Sequence, residues 1–381
     1  MAALYQLAVL GAPTNAQIEA LETCIKQALE VFGLHLGEDV QWEVCPAEFR
    51  PHQLQPSAVV FFGGPAANLS PLHNLTLDNL AQLLERGIPV IPVISHFSQA
   101  SVELPDLLRP FDYLDYAVGG AEFIATALLE AVGLLPQQRK VFLSYCREEL
   151  SETGTQLFEI LSARHFEVFI NHDENAPDSQ FSCQLWHRLC DSDVLLMLDT
   201  PTYFERRWTN VEFGRALAKG VSVLRVNWPA CAPSSRALAS SLVQLAGDDL
   251  DLDSRQLKEG ALQQICMKLE EVRSQSYAVR FVNLRSKIRI AVEASGGKLI
   301  GVGAHQMAYV QLANGTPLRV KLTLGVPAFN IEGITQSDAL LYDPVGLHPA
   351  WLAQNTMLAG KQAYPWLSAN EADLHFAYWK D

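Results

Sequence analysis

The chain has 381 residues, of which 49% are apolar and 18% charged, so two or three domains can each bury a core and a disordered chain is excluded. The formal net charge of −14 argues against wrapping nucleic acid or lying on an anionic membrane, because both need clustered Lys and Arg. The seven cysteines (Cys24, Cys45, Cys146, Cys183, Cys190, Cys231 and Cys266) are odd in number and form no C-x-x-C pair, so free thiols in a reducing cytosol are expected rather than a disulfide framework or a zinc site.

The first residues carry no basic region and read as a strand rather than a leader. Leu7–Leu10 is a short apolar run ending at Gly11-Ala-Pro13. A helical period follows through Ile18, Leu21, Ile25 and Leu29 and closes near Gly33. Val40–Val44 alternates like a half-buried strand. Ala58–Phe62 is continuously apolar and ends in Gly63-Gly64, as a buried central strand does. Leu77–Leu84 reads as a helix. Ile88–Ile94 reads as a strand whose prolines place it at an edge or an irregular end. Phe123–Val132 closes this unit as a helix. No charge-free apolar run of about 18 residues is found, since Glu130 interrupts the stretch near Phe123–Leu135, and no membrane span is expected. The alternation of strands and helices predicts βαβ units on a parallel sheet.

After the polar link Leu135–Lys140 the rhythm restarts. Val141–Tyr145 reads as a strand, and Ser151 as the cap of a helix with Leu157, Phe158, Ile160 and Leu161 on its inner face. Glu167–Ile170 is the next strand, Asn171–Gln180 a polar loop, Phe181–Cys190 a helix and Val194–Leu198 a buried strand. Thr209–Lys219 reads as a helix ending at Gly220, Val221–Val226 as a strand and Leu262–Val272 as a closing helix. The last ~95 residues differ: Lys298–Val302 is a strand, and Met307–Leu312 and Leu318–Leu324 flank Asn314-Gly315, a strong hairpin signal. Ala339–Tyr342 reads as a strand, Pro349–Ala359 as a helix and Ala372–Tyr378 as a terminal strand. The expected domains are 1–136, 137–280 and 285–381. The shared rhythm of the first two hints at a distant duplication.

Four segments of the middle domain carry a specific resemblance. They are Val141-Phe-Leu-Ser-Tyr145 with Arg147-Glu-Glu149, His165–Ile170, Leu189–Val194, and Thr200–Ala216 with its Trp208-x-x-x-Glu212 pattern. In this order they resemble the signature boxes of bacterial TIR (Toll/interleukin-1 receptor) domains over roughly Lys140–Ser276. The resemblance implies a flavodoxin-like parallel sheet, preceded here by a second α/β parallel-sheet unit, itself a degenerate TIR-like or flavodoxin-like fold without W-x-x-x-E, and followed by a small α+β domain. It also implies NAD+ hydrolase activity with NAD+ as substrate and no resident cofactor, homo-oligomers formed through the TIR domain, an activating small molecule or protein, a cytoplasmic location and a role in antiphage defence. Carried over by motif, Glu212 is the catalytic residue, and Ser144, Tyr145, Arg147 and Trp208 are substrate-binding.

The chemistry suits a lone carboxylate, because the nicotinamide of NAD+ is already a cationic leaving group and an oxocarbenium-like transition state needs only an anion nearby. Each residue also has a plainer reading. Thr209-x-x-Glu212 is a capping-box pattern. Trp208 can be core, Ser144 and Tyr145 can merely end a strand, and Arg147 can be a solvated charge. A non-enzymatic interaction or scaffold protein is therefore the competing reading. Asn171 stands where many TIR domains have aspartate, with Asp173 two residues on, and Glu149 takes the acidic place after the first strand. His165, His172 and His187 lack metal-ligand spacing, so no metal is expected. Gly301-Val-Gly303 lacks a dinucleotide fingerprint.

Overall fold

β1 (Tyr5–Gly11) sends Tyr5, Leu7 and Val9 into one apolar cluster and Ala8 and Leu10 into another, so both faces of its sheet are covered. The computed structural model describes residues 3–64, 73–170, 183–229, 231–232, 234–251, 254, 256–327, 334–353 and 364–379. Strands β2 (Val40–Val44), β3 (Ser57–Phe62), β4 (Val90–Ile94) and β5 (Leu114–Asp115) join β1 in a parallel sheet ordered β2-β1-β3-β4-β5. Helices α1 (Asn15–Glu30) and α4 (Tyr116–Ala131) bury Leu21, Ile25, Ile124 and Leu128 on one face, while α2 (His73–Glu85) buries Leu80, Leu83 and Leu84 on the other. A short helix, α3 (Ala100–Glu103), follows β4.

The second sheet repeats this plan. It contains β6 (Lys140–Ser144), β7 (Glu167–Ile170), β8 (Val194–Asp199), β9 (Ser222–Asn227) and β10 (Ser241–Gln244), all parallel and ordered β10-β9-β8-β6-β7. Read from its other edge this is the same 2-1-3-4-5 order as the first sheet, the flavodoxin-like arrangement. Its helices are α5 (Arg147–Ala163), α6 (Cys183–Asp191), α7 (Arg207–Lys219) and α8 (Glu259–Ala294). The third sheet is mixed: β11 (Lys298–Val302), β12 (Met307–Gln311) and β13 (Pro317–Thr323) pair antiparallel, and β14 (Ala339–Tyr342) and β15 (Trp366–Ser368) add in parallel, followed by α9 (Ala372–Ala377).

Each expected domain segment thus holds one sheet, while the chain groups into two compact units. One joins Met1–Leu135 with Ala278–Asp343 and Met357–Asp381; the other joins Pro136–Tyr277 with Pro344–Thr356. In the first unit Phe111 packs on Tyr309 with ring centroids 4.5 Å apart, and Asp112 donates its backbone N–H to Tyr309 Oη at 2.8 Å. In the second unit the segment from Pro344 straps α6 and α7. Trp186 Nε1 donates to the Gly346 carbonyl at 2.8 Å, and Lys219 Nζ donates to the Val345 carbonyl at 2.8 Å. The rings of Trp186 and His348 meet edge-on at 4.5 Å, and those of His187 and Trp351 at 5.5 Å.

Several elements depart from the sequence reading. The expected strand at Ala372–Tyr378 is a helix over Ala372–Ala377, because Ala372 and Phe376, four apart, are its buried residues. The strand there is β15, one turn earlier in the chain. The cut placed between 280 and 285 falls inside α8, whose 36 residues run on well past Val272. The helix expected from Ser151 begins at Arg147 and is interrupted by a non-helical Leu150; Phe158 on it is exposed. Helix α7 begins at Arg207, not Thr209. β4 is not the edge strand: β5 pairs with Val93 and Ile94 alone, which leaves the outer side of Pro92 without a strand partner and so tolerates its missing N–H. β10 escaped notice because only Val243 of its four residues is buried. At 349–353 the chain is helical, and the rest of the helix expected to Ala359 lies outside the described residues.

Among the described residues, Tyr116–Gln138 is long and apolar enough to cross a membrane by length and composition, which the sequence reading did not expect. In the structure it includes α4, which packs Ile124, Leu128 and Leu129 into the first core. The six described cysteines are all free thiols.

Candidate active site

β6 ends at Ser144, at the carboxyl edge where open parallel α/β sheets place their ligands. A cavity of about 410 Å³ opens there, within the size range of small-molecule sites. Its walls come from three places: Ser144 through Glu148 at the β6–α5 junction, Ile170 at the end of β7, and Glu205 through Thr209 with Glu212 at the start of α7. Ser144, Tyr145, Arg147, Trp208 and Glu212, nominated separately from the sequence, therefore share one cavity.

Glu212 is 3% exposed. Ser144 Oγ donates to its Oε2 at 2.6 Å, and Ser144 Oγ lies 2.7 Å from Tyr203 Oη. A buried carboxylate is tolerated only where such donors meet it. Trp208, half-buried, precedes Glu212 by four residues, one turn of α7, and so lines the same side of the cavity. Tyr145 rests its ring on α5 at Gly154, where a Cβ would lie 2.6 Å from Tyr145 Cε2 and 2.7 Å from Oη; glycine there makes room for the ring. Arg147 is the first residue of α5 and lines the cavity.

The capping-box reading of Thr209 and Glu212 does not describe this helix. The cap position is Arg206, which makes no side-chain capping bond, and Thr209 is already in the helix. Its hydroxyl donates back to the carbonyls of Tyr203 and Arg206, and Glu212 stands a full turn inside the helix with its carboxylate toward Ser144. Glu212 is therefore not the residue that closes the helix start.

Four residues in or beside the site, Arg206, Arg207, Tyr203 and Arg215, gained no role from the sequence. Arg206 and Arg207 line the cavity beside Arg147, and Arg206 pairs with Glu148, whose charge holds the guanidinium above its ordinary value. Their signal was the Glu-Arg-Arg run before Trp208. Tyr203, in the 3-10 turn Tyr203–Glu205, is fully buried; burial first, then the charge of Glu212, push its phenol well above the ordinary value. Arg215, one turn beyond Glu212, lies over the Trp186 ring at 3.7 Å, and burial lowers its pKa. Asn171, Asp173 and His172 lie outside the described residues. Among the described residues no group of three or more His, Cys, Asp and Glu is placed to hold a metal ion.

Residues 141–265 match the family model described as TIR domain. Those residues are a TIR domain. The match covers the second sheet with α5, α6 and α7, and contains the whole cavity lining, Leu143 to Glu212. The match stops short of the third sheet and of the strap that begins at Pro344. No curated protein matches the chain. Among solved structures, the chain is similar to a two-component system response regulator/GGDEF domain protein (13% identity, 70% of this chain and 99% of that one, TM-score 0.25). It is also similar to a conserved domain protein from Vibrio cholerae (14%, 74% and 85%, TM-score 0.20) and to tagatose-6-phosphate ketose/aldose isomerase from Escherichia coli (9%, 73% and 82%, TM-score 0.21). Scores this low carry no argument about fold or function.

Proposed function

We propose that the TIR domain is an NAD+ glycohydrolase that cleaves the nicotinamide–ribose bond. The observation that carries this reading is the Glu212 carboxylate, buried at the wall of a cavity, held by Ser144 and one helical turn from Trp208. In the reaction the C1′–N bond breaks, its electron pair leaves with neutral nicotinamide, and positive charge develops on the ribose. Glu212 stabilises that charge, and its placement before the reaction spares the cost of reorganising solvent. Water then adds at C1′ and loses a proton, giving ADP-ribose. Arg147, Arg206 and Arg207 supply cationic donors for the pyrophosphate, which an acidic chain must provide locally. Trp208 and the Tyr145 ring offer flat faces for the nicotinamide or ribose. Cytoplasmic location, activation by self-association or by a ligand, and a role in antiphage defence belong to the same proposal.

The test is NAD+ consumption by the full chain at high concentration with a crowding agent, beside Glu212→Gln and Glu212→Ala. Removing one preorganised stabilising group of this kind costs about 10²–10³ in kcat. We expect a loss of that size in folded variants. Full activity in Glu212→Gln, or an idle wild type under every assembling condition, overturns the reading. A melting shift with NAD+ but no turnover instead favours a binding module.

A further inference from the structure

We propose that Tyr203 is a positioning residue for Glu212, acting through Ser144; this rests on the reading of Glu212 as the catalytic carboxylate. The three polar groups form a chain. Tyr203 Oη is 2.7 Å from Ser144 Oγ, and Ser144 Oγ donates to Glu212 Oε2 at 2.6 Å. All three side chains are buried, Tyr203 at 0%, Ser144 at 2% and Glu212 at 3% exposure.

The direction of the chain follows from what each group can do. An ionised carboxylate only accepts, so the one Ser144 proton goes to Glu212. Ser144 then has only lone pairs left for Tyr203, so the phenol must donate to the serine. Burial and the nearby Glu212 charge raise the phenol's pKa, and so keep the proton that this role needs. Donation into Ser144 polarises its hydroxyl and strengthens the bond it gives to Glu212.

The backbone closes the chain into a ring. Thr209, three residues before Glu212 on α7, donates its hydroxyl to the Tyr203 carbonyl. The path Tyr203–Ser144–Glu212 and the path Tyr203–Thr209–α7 therefore tie the same residue to the same helix at two points. Tyr203 also sits in a packed apolar cluster with Phe142, Met197, Phe213 and Ala216, and its ring meets Phe204 edge-on at 5.1 Å. A rigid ring with one polar end fixes the Ser144 rotamer, and Ser144 fixes the rotation of the carboxylate. Nothing in this arrangement requires Tyr203 to touch substrate, and it is absent from the cavity lining.

The test is a double-mutant cycle of Tyr203→Phe and Ser144→Ala in the full chain, read in NAD+ turnover and in urea unfolding. Phenylalanine keeps the ring and removes only the donor. We expect Tyr203→Phe to lower kcat about tenfold with KM within about twofold, and to have no further effect on kcat when Ser144 is alanine. Equal kcat in Tyr203→Phe, or losses that simply add, overturns the proposal, since a purely structural phenol would not depend on Ser144. Glu212→Gln separates the two readings: if it turns over NAD+ like wild type, or if wild type is idle, the catalytic reading fails by itself. The unfolding arm then still decides the chain. Coupling between Tyr203→Phe and Glu212→Gln that vanishes in Ser144→Ala supports it, and absence of coupling overturns it.

Discussion

Removing Glu270 should cost the TIR domain far more stability than removing its neighbour Glu271. Glu270 is 4% exposed and its carboxylate meets two buried guanidinium groups, Arg139 at 3.0 Å and Arg273 at 2.9 Å. Arg139 is 1% exposed and Arg273 0%; Arg273 also faces Asp193 at 3.4 Å. At an effective dielectric of about 20, each contact near 3 Å is worth roughly 5 kcal/mol of gross attraction. Most of that is offset by desolvation of the ions, so the intact network contributes little net. Deleting one carboxylate leaves the desolvation in place, and a loss of about 3–5 kcal/mol is expected for Glu270→Ala. The position matters because the network ties the entry of β6 and the turn before β8 to α8, and β6 carries Ser144 at its far end. Glu271 pairs with Lys268 at 2.8 Å where both side chains are about one-third exposed, so Glu271→Ala should cost less than about 1 kcal/mol. Hydrogen exchange of the β6 and β8 amides, with urea titration of the full chain, reads the difference. A loss under about 1 kcal/mol in Glu270→Ala, or similar losses in the two variants, would refute the network as a set of mutually dependent buried charges.

Gly154→Ala places a methyl group against the Tyr145 ring and must displace it, so the KM for NAD+ should rise and the net stability fall by about 1–2 kcal/mol, overpacking outweighing the gain in helix propensity. Unchanged KM and melting would show that the ring can move aside freely. His187 has its pKa lowered, by burial first and then by His348, against the opposing pull of Asp191. The unfolded chain therefore takes up a proton before the folded one does, and the TIR domain should lose stability as pH falls from neutrality through about 6.5, the ordinary histidine value. Urea unfolding at several pH values checks this, and the slope over that window should lessen in His187→Gln; an unchanged slope removes His187 as its cause.

The buried strands were legible because their signal is local. Ala58–Phe62 and Val194–Leu198 are continuous apolar runs, and each lies inside its parallel sheet. The elements that were missed or misread have weaker local signals. β10 has one buried residue, and the helix at Ala372–Ala377 is short enough that alternation and helical spacing look alike. The site was legible where chemistry and spacing coincide, at Trp208 and Glu212, and at Ser144 on the end of a strand. Tyr203 was inside the quoted motif but gained no role from it, because its partner Ser144 is 59 residues away and only the folding of β6 beside β8 brings them together. The cap-like spacing of Thr209 and Glu212 misled for the same reason: where α7 begins is set by the turn at Tyr203–Glu205, not by the four residues themselves.

The strap from Pro344 makes the compact unit that contains the TIR domain discontinuous along the chain. Its edge is a surface in space, and no pair of cut sites encloses it. A fragment ending after α8 would carry every residue of the cavity, yet would strip Trp186 of the carbonyl its indole N–H meets and Lys219 of the one its ammonium meets. Those two contacts lie on α6 and on α7, the helix that bears Glu212. The residues from Lys298 to Ala377 thus cannot be shed as an independent appendage, because a few of them complete the neighbour they would be cut from.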